Sequence, residues 1–250
     1  MKILLTNDDG YQAAGIQALF RALGRKHQVV MVAPDRERSA VSHGITLHHP
    51  VRMHRIKSET TGSIYAVDGT PADCVKLGLA ECFKTSPDWV IAGINPGSNI
   101  GIDINYSGTV GAAREGALNG IPGMAVSIKL DRVMDYDNLA RFVMHMVDAM
   151  GQKGLPSGTF LNVNAPGVAF SEIQGIRITR QSLDNLSFRF ERRQDPRQRS
   201  YYWYGRQEPV SGTPDTDVNA ISRNCLSITP IQCDLTDYKT LAEMPAFTID

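Results

Sequence analysis

Two adjacent carboxylates, Asp8 and Asp9, stand in the turn that follows the first apolar run of the chain. That run, Lys2–Leu5, is broken at once by polar residues and Gly10, as expected for a buried strand that ends in a turn. Neighbouring carboxylates repel each other and are costly to bury unless a positive charge lies beside them, and a divalent cation is the simplest such charge. The alternative is an ordinary Asx-type turn in which Asp8 caps the following helix.

Further oxygen-bearing side chains follow two other strands of the expected sheet. The polar loop after the second strand contains Ser39, and the glycine- and asparagine-rich loop after Trp89–Ala92 contains Asn95. Open α/β sheets bind their ligands at the carboxyl ends of parallel strands, so these loops are expected at one edge. Oxygen-only ligand sets suit Mg²⁺ or Mn²⁺ rather than zinc. The candidate ligands of one divalent cation are therefore Asp8, Asp9, Ser39 and Asn95.

The segment Tyr106–Ala113, YSGTVGAA, predicts the start of a helix rich in glycine and hydroxyl groups. Free backbone N–H groups and the positive end of the helix dipole make such a start a ready site for phosphate or carboxylate. An ordinary serine cap followed by close-packed small residues is the alternative.

A cation beside an anion-binding helix start favours hydrolysis of a phosphate ester. The metal would polarise a phosphoryl oxygen and acidify a bound water, while backbone amides stabilise the developing charge. Either Asp8 or Asp9 can accept the proton of that water. Covalent attack by Asp8 is left open, although known aspartyl-phosphate enzymes space their acids as D-x-D and this chain has DDG.

The apolar pattern around these loops predicts an α/β fold. The stripe formed by Ile16, Leu19, Phe20 and Leu23 indicates an amphipathic helix, and Val29–Ala33 follows it as a strand. A strand, a helix and a strand within about thirty residues form a βαβ unit and hence a parallel sheet. Phe160–Val163 is expected to be the last strand of that sheet.

The chain changes character near residue 175, so we divide it into a catalytic core, residues 1–174, and an extension, residues 175–250. From Arg177 to Arg206 the extension is rich in arginine and aromatic residues, a mixture that can bind single-stranded nucleic acid. Acidic residues dilute that charge, so a hairpin used for self-association is favoured. Leu226–Ile231 is expected to be a strand that returns to the core, and the last twenty residues are expected to form an arm without a core of its own.

Composition excludes several classes of protein. Basic and acidic residues number 26 each, so overall charge gives no reason to expect a nucleic acid polymer or a membrane surface as partner. No apolar run approaches the ~20 residues that span a bilayer, and a cytoplasmic protein is the expectation. The four cysteines form no C-x-x-C pair, which argues against structural zinc. The missing G-x-G-x-x-G motif argues against a nicotinamide dehydrogenase.

Five ordered motifs carry a family resemblance: LLTNDDG at 4–10, APDRERSAVS at 33–42, GTPADCV at 69–75, GIN at 93–95 and SGTVGAA at 107–113. Together they resemble the SurE (survival protein E) family of 5′/3′-nucleotidases. The resemblance implies a Rossmann-like, three-layer α/β core with a parallel sheet and a smaller β-rich hairpin and C-terminal arm. It also implies dimers that exchange C-terminal segments and are able to pair into tetramers.

The same resemblance implies a phosphatase that hydrolyses nucleoside 5′- and 3′-monophosphates and, in some members, short polyphosphate. It assigns one Mg²⁺ or Mn²⁺ per subunit to Asp8, Asp9, Ser39 and Asn95. Residues expected to contact the substrate phosphate are Asn99, Ser107, Gly108 and Thr109. A non-catalytic nucleotide-binding or sensor module remains the alternative, because the same loops can hold a nucleotide without hydrolysing it.

Overall fold

The computed structural model describes residues 1–59, 62–151, 154–184, 189–205 and 213–247. Its strands are β1 Lys2–Thr6, β2 Gln28–Pro34, β3 Met53–Glu59, β4 Gly62–Val67, β5 Trp89–Pro96, β6 Gly123–Ile128, β7 Thr159–Ala165, β8 Ile176–Ile178, β9 Arg189–Gln194, β10 Ser200–Gly205 and β11 Leu226–Gln232. Its α-helices are α1 Ala14–Leu23, α2 Pro71–Glu81, α3 Gly108–Leu118, α4 Tyr136–Met150, α5 Asp217–Ser222 and α6 Tyr238–Glu243.

Within the described chain, nine strands form one sheet in the order β3-β4-β2-β1-β5-β6-β7-β11-β8. The pairings from β4 through β7 are all parallel, so the carboxyl ends of β1, β2 and β5 lie at one edge, as expected for a βαβ fold. Antiparallel pairings occur at β3 with β4 and at β11 with β7. The α/β class predicted from the sequence is confirmed.

Helices cover both faces of the sheet and complete three layers. On β1, Ile3 and Leu5 join the apolar core that includes α1 and α4, whereas Leu4 joins the core beneath α2 and α3. This alternation follows from the two-residue period of a strand, which sends successive side chains to opposite faces. A strand buried on both faces must be apolar throughout, which is why Ile3–Leu5 carries no polar residue.

The prediction that Phe160–Val163 is the last strand of the sheet is wrong. The chain returns after residue 225, and β11 pairs antiparallel with β7 from Ser227–Asn164 to Gln232–Thr159. Strand β8 then pairs with β11 on its other side. Both strands lie beyond residue 174 and yet belong to the main sheet, while the division into a core and an extension stays a prediction.

Strand β5 is longer than expected, because the segment Gly93–Asn95 continues the strand instead of starting a loop. Its register against β6 shifts between Ala92 and Asn95. Ile94 is fully buried in the core on the α1 side, and packing of its side chain there keeps this part of the backbone in the sheet. Asn95 is therefore the second-last residue of β5 and not part of a loop.

The remaining two strands, β9 and β10, form a separate antiparallel hairpin with Ser200 opposite Gln194. Its aromatic side chains are between 41% and 61% exposed; they are Phe190, Tyr201, Tyr202, Trp203 and Tyr204. The alternating pattern in Ser200–Tyr204 therefore predicts a strand correctly.

Helix α1 approaches strand β5 most closely at Gly15. A Cβ atom on Gly15 would lie 2.0 Å from the carbonyl oxygen of Ile94, which is backbone and cannot move aside easily. The residue after Ile94 is the candidate ligand Asn95, so this contact sets both helix packing and the position of the site.

We expect Gly15→Ala to lower the free energy of unfolding by about 3 kcal/mol, because the added methyl group overlaps backbone. Urea unfolding followed by circular dichroism measures this change. Gly24→Ala at the end of the same helix is the matched control, since the φ of −62° at Gly24 suits any L residue. Equal stabilities of the two variants would contradict the proposed contact.

Candidate active site

The turn after β1 is built by Asn7. Its side chain accepts a hydrogen bond from the Gly10 amide (3.2 Å) and donates to the Gly10 carbonyl oxygen (2.9 Å). Gly10 adopts a φ of +99°, which favours glycine. The cap of α1 is Ala13, without a side-chain hydrogen bond, so the alternative in which Asp8 caps that helix is wrong. Both aspartates are thereby left available for another role.

Asp8 is buried against the start of α3, with 5% of its surface exposed. The hydroxyl group of Thr109 donates a short hydrogen bond to Asp8 Oδ1. A Cβ atom on Gly108 would lie 3.0 Å from Asp8 Oδ2, so glycine allows the helix to approach the carboxylate closely. Burial raises the pKa of Asp8 above its ordinary value, although the hydrogen bonds from Thr109 oppose that rise.

Asp9 lacks a partner for one of its oxygens. Oδ2 is buried and makes no hydrogen bond within the described part of the chain. Burial, followed by the charges of Asp8 and Glu37, raises the pKa of Asp9 to about 7. A buried carboxylate oxygen without a donor is rare in folded proteins, and a cation beside it would satisfy its lone pairs and favour its ionised form. The residues present therefore fit a hard divalent cation.

The loop after β2 brings Ser39 to the same turn. The backbone amide of Arg38 donates to the Asp8 carbonyl oxygen over 2.7 Å. Ser39 is exposed, and its hydroxyl group donates to Glu37 Oε1 at 2.5 Å. Glu37 is the residue that sequence reasoning missed here: it acts electrostatically on both Asp8 and Asp9.

Asn95 lies at the same edge of the sheet, on the neighbouring strand β5. Its amide nitrogen donates to the Gly97 carbonyl oxygen over 2.7 Å. This bond uses the half of the side chain that cannot bind a cation, and the carbonyl half is the part suited to Mg²⁺ or Mn²⁺. The described residues contain no group of three or more His, Cys, Asp or Glu side chains suited to a metal, so a candidate site depends on such neutral oxygens.

Asn99 belongs to a buried polar network instead of the open surface. Its amide nitrogen donates to Ser127 Oγ at 2.8 Å, and its backbone amide donates to Asn164 Oδ1 at 2.9 Å. The amide groups of Asn162 and Asn164 both donate to the Asn99 carbonyl oxygen. The N-x-N spacing on β7 places these two side chains on one face of the strand, and that spacing is a signal that sequence reasoning missed.

Asp217, which is fully buried, fixes the segment that follows Asn99. Its carboxylate accepts hydrogen bonds from the backbone amides of Gly101 (2.8 Å), Ser182 (2.9 Å) and Val218 (2.8 Å). Three amide donors satisfy the buried charge, while burial still raises the pKa of Asp217. The C-terminal part of the chain therefore holds the loop that leads to α3.

Helix α3 starts where the sequence predicts, and it has the serine cap described above as the alternative to an anion site. Ser107 Oγ accepts a hydrogen bond from the Val110 amide at 3.1 Å, and the helix begins at Gly108. Amides in a first helical turn have no carbonyl partner inside the helix, and that of Thr109 interacts with the Asp8 carboxylate. The arrangement can bind an anion beside an acidic pair only if a cation lies between them.

A second cluster, which sequence reasoning did not identify, ties the Ser39 loop to α3. Glu115 is buried, and its carboxylate contacts His43 Nε2 (2.8 Å), Lys76 Nζ (2.7 Å) and Asn119 Nδ2 (2.9 Å). The hydrogen bond with His43 lowers the pKa of Glu115 most, Lys76 and Asn119 lower it further, and the result is about 2 despite burial.

Comparison with known proteins places this geometry in a family. The family described as Survival protein SurE matches residues 3–187. The 5′-nucleotidase SurE of Desulfatibacillum aliphaticivorans is 48% identical over 100% of this chain and 99% of its own length. The 5′-nucleotidase SurE of Geotalea uraniireducens is 47% identical over 98% of each chain. The crystal structure of the SurE protein from Aquifex aeolicus matches with a TM-score of 0.86 at 39% identity, over 98% of both chains.

The Glu115 cluster predicts a pH-dependent contribution to stability. Because the pKa falls from 4.5 to about 2 on folding, ionised Glu115 stabilises the native state above about pH 4.5, and this contribution is lost as the pH falls towards 2. Glu115→Gln is therefore expected to lower the free energy of unfolding by about 3 kcal/mol at neutral pH. Urea unfolding across this pH range should show the difference from the unmodified chain shrinking in acid.

Glu81→Gln is the matched control, because Glu81 is an exposed glutamate at the end of α2. It should leave stability unchanged at both ends of the range. A Glu115→Gln effect that stays constant into acid would contradict the linkage.

Proposed function

The chain belongs to the SurE family, and from that premise we propose that it is a metal-dependent phosphatase that hydrolyses nucleoside 5′- and 3′-monophosphates to nucleoside and phosphate. One observation carries the proposal: buried Asp8 lies against the first turn of α3, and its neighbour Asp9, which is partly buried, has one buried oxygen with no donor among the described residues. The relatives named 5′-nucleotidase SurE match over nearly the full chain.

In this proposal Asp8, Asp9, Ser39 and Asn95 hold one Mg²⁺ or Mn²⁺. Such an ion, when bound, polarises a phosphoryl oxygen and lowers the pKa of a nearby water. Asp8 or Asp9 then takes up the proton of the attacking water, a role that requires an ionised carboxylate at working pH. Both carboxylates, whose pKa values burial raises, would be ionised more readily with a cation bound between them.

Substrate phosphate would bind at the start of α3. The proposed contacts are the Ser107 side chain, the backbone of Gly108 and Thr109, and Asn99; the Thr109 hydroxyl group already donates to Asp8. Donors at a helix start carry a partial positive charge and are held in place by the fold before reaction, so they stabilise charge that develops on the phosphoryl group. Because these contacts recognise phosphate and not a base, we extend the proposal to short polyphosphate.

The competing proposal is a nucleotide-binding or sensor module that does not hydrolyse its ligand. Both proposals use the same loops, so only turnover separates them.

The four cysteines are all free, and thiols persist in reducing compartments, which favours our further proposal that the protein is cytoplasmic. No helix in the described ranges is both long and apolar enough to cross a membrane.

We also propose that the extension mediates self-association into dimers, with tetramers formed by pairing of dimers. The β9–β10 hairpin exposes aromatic side chains, which alternate between its two faces, and α6 buries none of its residues. On the same arm Leu235 and Phe247 are 83% and 76% exposed. Large exposed apolar surfaces mark interaction sites, and a short helix without a core gains stability when a second copy covers it.

The metal site predicts the effect of neutralising either aspartate. Asp8→Asn or Asp9→Asn should lower Mn²⁺- or Mg²⁺-dependent release of phosphate from AMP about a thousandfold, since several kcal/mol of charge stabilisation are lost. Circular dichroism should show the fold intact. Excess EDTA should abolish activity of the unmodified chain, and added Mn²⁺ should restore it.

The matched control is Asp137→Asn, because Asp137 is an exposed aspartate whose carboxylate is paired with Arg21. Activity that survives in either Asp8 or Asp9 variant would remove the metal-site argument. An unmodified chain that binds AMP and releases no phosphate in any metal would establish the sensor module instead.

The arm predicts the oligomeric state. A chain truncated after Cys233 keeps β11 complete and loses α6, so we expect it to elute as a monomer where the full chain is a dimer. Light scattering coupled to gel filtration measures both masses. Leu118→Ser, which removes an exposed leucine on α3, is the control. An unchanged dimer after truncation would refute the role of the arm.

A further inference from the structure

The segment that carries Ser39 is long and irregular. Residues 35–52 contain neither helix nor strand, although they lie between two strands of the main sheet. Irregular loops of this length are uncommon in compact domains and are usually functional. Since Ser39 is itself exposed, its position depends on contacts made elsewhere in the loop.

The backbone near Ser39 adopts conformations that other contacts must hold. Ala40 and Ser42 have φ values of +55° and +54°, in the left-handed region that costs free energy for residues other than glycine. The Ser42 amide donates to the Tyr106 carbonyl oxygen at 3.0 Å, and its hydroxyl group donates to the Asn105 carbonyl oxygen at 2.6 Å. A Cβ on Gly111 would lie 2.7 Å from the Ser42 carbonyl oxygen, so α3 and the loop meet backbone to backbone.

The next residue in the loop reaches the buried carboxylate of Glu115. His43 Nε2 lies 2.8 Å from Glu115 Oε2. An ionised carboxylate only accepts hydrogen bonds, so His43 must carry its proton on Nε2 and donate it. The other two partners of Glu115, Lys76 and Asn119, lie on α2 and at the end of α3, and they remain when His43 is removed.

We propose that His43 is a positioning residue for the metal site: by donating to Glu115 it fixes the loop whose Arg38 amide bonds the Asp8 carbonyl oxygen, and with it the position of the next residue, Ser39. This inference rests on the proposed function, because it takes Ser39 as a metal ligand. His43 acts through Glu115 and touches neither metal nor substrate. Residues that orient metal ligands from behind typically change metal affinity by 10- to 100-fold when altered.

Two amide substitutions test the hydrogen bond itself. In His43→Gln the side-chain amide nitrogen takes the place of Nε2 and can reach Glu115. In His43→Asn the amide nitrogen takes the place of Nδ1, and the side chain is too short to reach Glu115. We expect His43→Asn to weaken Mn²⁺ binding without substrate by about tenfold or more, and His43→Gln to keep most of the affinity. Isothermal titration calorimetry with Mn²⁺ alone measures both. His49→Asn is the control, because His49 is exposed in the same loop.

Hydrogen exchange of the metal-free proteins gives a second readout. Amides of residues 38–46 should exchange faster in His43→Asn than in His43→Gln, while those of α3 remain protected in both. Equal Mn²⁺ affinities of the two variants, or equal losses in both, would overturn the proposal, as would a His43→Asn chain that does not fold. If the unmodified chain binds no Mn²⁺, the metal site of the proposed function fails first, and this outcome is distinct from the others.

Discussion

The proximity of two neighbouring carboxylates at the end of β1, Asp8 buried and Asp9 partly buried, is the constraint on which the rest of the site depends. Burial and mutual repulsion disfavour ionisation of both carboxylates unless positive charge lies nearby. The fold supplies the start of α3, whose amides and Thr109 hydroxyl group face Asp8. One oxygen of Asp9 has no hydrogen-bond donor in the described chain, and a cation would stabilise that oxygen most.

Helix α3 connects the separate parts of the site because small residues let it approach each of them. Gly108 meets Asp8, Gly111 meets the loop at Ser42, and Gly116 packs on Val90 of β5. These glycines lower helix propensity, by roughly 1 kcal/mol each relative to alanine. Close packing against three different elements offsets that cost, so the helix is defined by its neighbours more than by its own sequence.

Local sequence signals predicted the elements that can be recognised without distant partners. The apolar stripe of α1 and the helix start within Tyr106–Ala113 both appear in the structure at the expected positions. Long-range pairing was not predictable in this way. The strand at Leu226–Ile231 and its return to the core were predicted, but nothing in its sequence identifies β7 as its partner. The continuation of β5 through Ile94 depends on the core that other elements form around it.

The same distinction applies to the candidate site. Residue types and strand ends were enough to nominate Asp8, Asp9, Ser39 and Asn95, whose metal-binding roles stay predictions. The influence of Glu37, the bond from Thr109 to Asp8 and the contact between His43 and Glu115 each join residues brought together only by folding. Side-chain partnerships across 101 or 72 positions leave no spacing that a single sequence reveals.

The hydrogen bond from the Gly101 amide to Asp217 affects how the protein folds during its synthesis on the ribosome. Every proposed metal and phosphate ligand has been synthesised by residue 109, yet the loop between Asn99 and α3 gains its buried anchor only when residue 217 has left the exit tunnel. A nascent chain therefore carries its complete set of reactive groups for about half of translation without the frame that orders them. The loop that precedes α3 therefore gains its full set of hydrogen bonds only late in synthesis.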